Sequence, residues 1–339
     1  MKRTQCFTII LFLALAVCAR AQNKAPLKQV AAIPLPALHE GDFDHFTVDL
    51  QGHRLFLDAE ENGKVEILDA KSNKVLHTID DLKAPHSIVY RPDLNKLFIV
   101  DGDASEIKIY NATTYQRIGQ IRLRIDADSM AYDPRTHYMY VVNAGRAAHT
   151  PYSFISIVNT DTAKKIGDIK INSNRIESLA LQKSGNRLFA NITGENAVGV
   201  INRDTDALIA TWPLPAGLQQ NVAMAFDEAH HRIFTVTREP SRLIVMDSDN
   251  GKVVAVLPCV DFVDDASFDP TNGRIYLAGN DFVDVFQEKN PDHYVLLGRV
   301  PGSYRAKTGI VVPQWHRYYL AVPRHGSQIA QVRVFQVIH

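Results

Sequence analysis

Cysteine is scarce in this chain: three in 339 residues. That excludes a disulfide-dense scaffold and leaves packing to supply stability. Charge of either sign is not in excess, with 37 basic and 37 acidic residues. No whole-protein field draws the chain to nucleic acid or to an anionic membrane, and no basic run tracks phosphates. Only one apolar stretch is long, and it stands at the start. No C-x-x-C-H is present, so no covalent haem is attached; G-x-S-x-G, H-E-x-x-H, phosphate-loop and dinucleotide fingerprints are missing too. Nothing nominates a nucleophile, and whether the chain is an enzyme stays open. Helical periodicity sustained over 11 residues is missing everywhere after the start.

The first 21 residues read as an address. Lys2 and Arg3 precede an apolar run from Phe7 to Val17, and Ala19-Arg20-Ala21 supplies an A-x-A cleavage pattern. This is the layout of a secretory signal peptide, too short to anchor as a membrane span. The expectation is a soluble monomer in the periplasm or outside the cell, cleaved after Ala21. Leu15-Ala16-Val17-Cys18 resembles a lipobox, but Val17 is larger than the small residue that precedes a lipidated cysteine. Cleavage removes Cys6 and Cys18 and leaves Cys259 alone, at an apolar strand end where burial is expected.

What the rest has in quantity is repetition. A short apolar run, a polar turn, a basic or polar residue and an apolar-aromatic-apolar run recur seven times. Examples are Phe46-Thr-Val-Asp49 with Arg54-Leu-Phe-Leu57, and Ser178-Leu-Ala-Leu181 with Arg187-Leu-Phe-Ala190. The aromatic anchors are Phe56, Phe98, Tyr140, Phe189, Phe234, Tyr276 and Tyr319, spaced by 42, 42, 49, 45, 42 and 43 residues. An alternating third run follows in each unit. In five units Asp69, Asn111, Asn159, Asn202 or Asp247 then starts a tight turn into a fourth run. A period in the low forties with four strands per unit predicts an all-β, seven-bladed β-propeller with four antiparallel strands per blade.

The seventh unit stops after its third strand, Val332–Ile338. A spare strand near the start, Gln29–Leu35, has no unit of its own. Pairing the two closes the last blade with the N-terminal strand, which removes an exposed edge and makes residues 22–339 one domain. Val65-Glu-Ile-Leu-Asp69, Arg54-Leu-Phe-Leu57 and the loose tetrapeptides Tyr140-Val-Val-Asn143 and Phe189-Ala-Asn-Ile192 carry a further likeness. Through them the whole mature sequence resembles the YVTN-type, WD40-like seven-bladed propeller repeat proteins of bacterial envelopes. The resemblance implies the fold and says little about chemistry.

In a propeller the first strand of each blade lines the channel, so the residues just before it ring the channel mouth. Those positions hold Asp44, His45, His86, Asp126, Asp128, Glu177, Asn221, Asp264, Asp265, Lys307 and Thr308. Loops between second and third strands add a collar with Arg146, His149, Arg238, Glu239, Arg242, Arg324 and His325. The expectation is an acidic throat under a basic rim. Two readings follow. In the first, the mouth binds a small polar or zwitterionic molecule, or a protein segment, with carboxylates on an amine and arginines on a carboxylate. In the second, Asp44, Asp128, Glu177 and Asp264 hold a divalent cation, calcium or a transition metal. That ion serves a lactonase-like hydrolase or a lyase, with His45 or His86 moving the proton. Asp101–Ser105 and Asp247–Gly251 read as polar turns, His230-His231 as a solvated pair on the opposite face, and Trp212 and Trp315 as packing between blades.

Overall fold

The computed structural model describes residues 25–339. The expected leader, its cleavage site, Cys6 and Cys18 lie outside the described residues.

Alternating side chains on short strands bury both faces of every sheet except along its outermost strand. In blade 1, Leu55 and Leu57 pack toward blade 7 while Phe56 packs toward blade 2. This is the period-2 pattern of a strand wedged between two neighbours. All seven anchor aromatics are buried in this way. The result is seven separate apolar clusters, one at each blade–blade interface.

Among the described residues 28 strands form seven four-stranded antiparallel sheets, a seven-bladed β-propeller. Its innermost strands are Phe46–Asp49, Pro85–Arg91, Ala127–Asp133, Leu179–Leu181, Gln219–Asp227, Asp265–Asp269 and Thr308–Val312, numbered here as blades 1 to 7. Strand Leu27–Pro34 pairs antiparallel with Gln331–Val337 and completes blade 7, starting two residues earlier than expected. Ile33 and Leu35 enter the cluster between blades 7 and 1, so the closing strand is also part of the core. Among the described residues no helix is long and apolar enough to cross a membrane.

The turn chemistry follows from short polar side chains. Asp69 accepts the Lys71 and Ser72 amides at 2.7 and 3.0 Å, and Asn111 those of Thr113 and Thr114, both at 2.9 Å. Asn159, Asn202 and Asp247 do the same in their blades. The basic residue that opens several second strands bridges blades. Arg54 donates to the Ala112 carbonyl of blade 2, Arg232 to the Pro291 carbonyl of blade 6 at 2.9 Å, and Arg274 to the Ile338 carbonyl at 2.6 Å. Trp212 and Trp315 pack against interface clusters, and Cys259 is buried, its thiol pushed by burial up to about 12. Asp101 is more than a turn residue. It is fully buried, accepts the Ala84 amide at 3.0 Å and pairs with Lys108 at 3.0 Å.

Candidate functional site

Seven chains of residues enter the inner strands on one face and converge on the channel mouth. The side chains there form three ion-paired groups side by side. His45 directs Nδ1 at Asp265 (2.8 Å) and Nε2 at Asp44 (3.3 Å). The other oxygen of Asp44 faces His86 Nδ1 at 2.6 Å, and His86 Nδ1 stands 3.7 Å from Asp128. Blades 6, 1, 2 and 3 are thus linked edge to edge. Lys307 ties Asp264 to Asp42, Arg238 donates to Asp264 at 2.5 Å, and Arg305 pairs with Asp42. Arg175 holds Glu177 at 2.6 Å.

Backbone geometry sets two of these groups. Gly102 lies where a Cβ would stand 2.7 Å from His86 Cδ2 and 2.6 Å from the Ala127 carbonyl, so only glycine leaves the imidazole its place. Gly63 closes the 3-10 turn Glu60–Asn62 in the left-handed region (φ 61°), which carries Glu60 over the mouth.

The protonation states follow from burial set against neighbours. Burial favours a neutral His45, but Asp44 and Asp265 outweigh it and raise its pKa well above normal. His86 is likewise raised to about 10, against burial, by Asp128 and Asp44. Both rings are imidazolium at neutral pH. Burial would raise Asp44, yet the two imidazoliums hold it at about 2. Other acids go the opposite way. Burial and then Asp44 push Glu60 up to about 7; burial and then Asp128 push Glu177 up to about 7. Burial also raises Asp128. Asp58, fully buried just behind this group, has two carboxylate oxygens without a hydrogen-bond partner, and burial with Asp44 raises it well above normal. The throat therefore holds more carboxylate than its own cations neutralise.

Three cavities open here. The channel between the inner strands is about 230 Å³ and is lined near the mouth by Ser87, Ser129, Ser178 and Ser267. The throat, about 150 Å³, is walled by Asp44, His45, Glu60, His86, Asp128, Glu177, Asp264 and Lys307. A side pocket of about 380 Å³ between blades 3 and 4 shares Asp128 and Glu177 and adds Asp126, Arg146 and Arg175.

The expected ring residues Asp44, His45, His86, Asp128, Glu177, Asp264, Asp265 and Lys307 do converge, and Asp126 borders them. Asn221 does not join them. It is fully buried and donates to Asn191 and the Ala197 carbonyl, both at 2.9 Å, in a polar seam between blades 4 and 5. Thr308 is buried on the Phe43 carbonyl. The basic rim is thinner than expected, because long side chains turn inward. Arg238 serves Asp264, and Arg324 donates to the Leu38 and Pro36 carbonyls at 2.8 and 2.9 Å, pinning the N-terminal segment. Arg242 donates to the Ser241 carbonyl and His325 stacks on Tyr304. Arg146 and His149 are exposed, and Arg146 has no side-chain partner among the described residues. Of the four carboxylates expected to hold a cation, only Asp44 belongs to a trio within ligand reach. Its companions are Glu60 and His86, all ligand atoms lying within 4.8 Å of one another.

No protein-family model matches the chain, and no curated protein does. Solved structures do match. The chain is similar to a chain of Kuenenia stuttgartiensis hydrazine synthase, at 15% identity and TM-score 0.72, over 85% of this chain and 95% of that one. It is also similar to the WD40 repeats of RRP9, at 11% identity and TM-score 0.75, over 91% and 98%. A chain of a mitotic checkpoint complex matches at 13% identity and TM-score 0.75, over 100% and 99%. At these identities the likeness establishes a WD40-like propeller fold and no activity.

Proposed function

We propose that this protein is an exported binding module whose channel mouth takes a small polar molecule, or a protein segment, through a cationic group. The observation that carries the reading is the surplus of half-buried carboxylate in the throat. Glu60, Asp128 and Glu177 border one cavity with raised pKa values, while Lys307, Arg238, Arg175 and both imidazoles already face acids. Half-buried carboxylates in that condition favour a partner of opposite charge. An ammonium group supplies it without a proton transfer. Arg146, on the adjoining pocket, stands ready for a carboxylate on the same molecule, so a zwitterion fits best. The structural neighbours include chains from assemblies, which supports a platform role of the kind propellers often fill. A melting-shift screen with matched amines, amino acids and carboxylic acids tests the reading. Amines and zwitterions should raise Tm in the wild type and lose the effect in Asp128→Asn. A response confined to anions would overturn it.

The Asp44, Glu60 and His86 trio favours a second reading, a divalent metal at the same mouth. There the ion would supply Lewis acidity for a hydrolase or lyase, and His45, 3.3 Å from Asp44, would be the group placed to move a proton. Metal analysis of purified protein, with melting curves before and after chelation, separates the two.

A further inference from the structure

The opposite face of the ring carries a second cluster. Asp227 ends the inner strand of blade 5, and His230 lies in the turn that follows. Glu288 comes from the third strand of blade 6, Phe282–Asn290, which ends on the same face. Their ligand atoms lie within 4.8 Å of one another. The sequence alone suggested a solvated histidine pair here. His231 fits that, meeting the exposed Asp249 at 2.9 Å. His230 does not, because it leans on two carboxylates whose side chains are each only 3% exposed.

The hydrogen bonding is incomplete in a telling way. One oxygen of Asp227 accepts the Ala229 and His230 amides at 3.1 and 3.4 Å, and the other faces His230 Nδ1 at 2.7 Å. Glu288 Oε1 stands 2.9 Å from that same nitrogen. A single Nδ1 proton serves one of the two carboxylates, not both. Both oxygens of Glu288 are buried and receive no hydrogen bond. Arg232, in the same turn region, offers no remedy. Arg232 donates to the Pro291, His230 and His231 carbonyls and pairs with Asp247 and Asp292. Two dry carboxylates side by side need either a shared proton or a cation.

We propose that Asp227, His230 and Glu288 form a divalent transition-metal site, of zinc type, that clamps blade 5 to blade 6 on the face opposite the throat. The donor set argues for this class. Calcium and magnesium take oxygen ligands throughout, whereas one imidazole nitrogen with two carboxylates suits zinc and its neighbours. His230, half exposed, gives the ion an entry path and leaves a coordination position for water. Binding replaces the Nδ1 proton with the metal and gives Glu288 the partner it lacks. The site is independent of the throat, so the proposal stands or falls separately from the ligand reading above.

The test uses the full chain, stripped with a chelator and dialysed against zinc, with bound metal measured by mass spectrometry and Tm followed in parallel. Wild type should retain zinc and melt several degrees higher with it. His230→Ala, a substitution at an exposed side chain, should lose this zinc and the associated rise, with affinity at this site down about tenfold or more. Asp249→Asn, at the exposed partner of the neighbouring His231, should keep both. Glu288→Gln discriminates by sign: it should raise Tm without metal, by removing a repulsion, and abolish the zinc response. Equal zinc uptake and equal Tm gain in wild type, His230→Ala and Glu288→Gln would show adventitious surface binding only and overturn the proposal. A Glu288→Gln protein that fails to fold leaves the decision to His230→Ala.

Discussion

Replacing Glu177 with Gln should stabilise the protein at pH 8 and leave it nearly unchanged at pH 5. The side chain is 18% exposed, bonded to Arg175 at 2.6 Å and repelled by Asp128. Burial first, and Asp128 second, lift its pKa from 4.5 to about 7. A raised carboxyl binds its proton more tightly in the folded chain than in the unfolded one. Its contribution to stability is therefore fullest below pH 4.5 and is lost as pH rises through 7. At about 1.4 kcal/mol per pH unit the full linkage is roughly 3 kcal/mol. Residual exposure and loss of the Arg175 bond reduce the gain for Gln to about 1–2 kcal/mol. In a chain of this length that is a rise of about 2–5 °C. Scanning calorimetry at pH 5, 6, 7 and 8 reads the difference between variant and wild type. The difference should grow with pH. A constant difference, or one that shrinks as pH rises, would refute the electrostatic reading of the throat.

Three further outcomes follow from packing. Ile33→Ala, in the closing strand and fully buried, should cost about 2–5 kcal/mol, whereas Val30→Ala at an exposed position of the same strand should change stability by less than about 0.5 kcal/mol in urea melts. Gly102→Ala should push His86 from its place, cost about 1–3 kcal/mol and weaken amine binding by calorimetry more than Gly167→Ala, where an added methyl meets only an ordinary contact with Ile157. Asn191→Ala should leave Thr235 and Asn221 short of a partner and lower stability by about 1–3 kcal/mol in the same melts.

The blade count was legible because each second strand is buried on both faces and needs an aromatic at its centre, and because a short Asp or Asn side chain so often starts the turn after the third strand. The closing strand was legible by counting: one spare strand, one incomplete sheet. The ring of acids followed from where inner strands begin. Glu60 and Asp58 were missed because they belong to a second strand and its turn, away from the ring positions. A signal was present. Two residues after the anchor aromatic, the other blades carry Val100, Val142, Asn191, Val236, Ala278 and Ala321, and only blade 1 places an acid there. Arg238 and Arg324 were legible as residues of the right loops but not as inward-turning side chains. Their reach of several bonds lets them satisfy buried acceptors that sequence position does not reveal. Asn221 fails as a mouth residue for the opposite reason: its side chain is short, and the neighbouring Asn191 offers the nearer partner.

The proposed ligand reaches the throat with a cationic group held by Asp128 and Glu177. Titration calorimetry of purified protein with a small zwitterionic amine and with its acid lacking the amino group tests it most directly. Saturable heat is expected for the amine, stronger at pH 8 than at pH 6, and lost in the Asp128→Asn, Glu177→Gln double variant. Equal binding of the deaminated acid, or undiminished amine binding by the double variant, would contradict it.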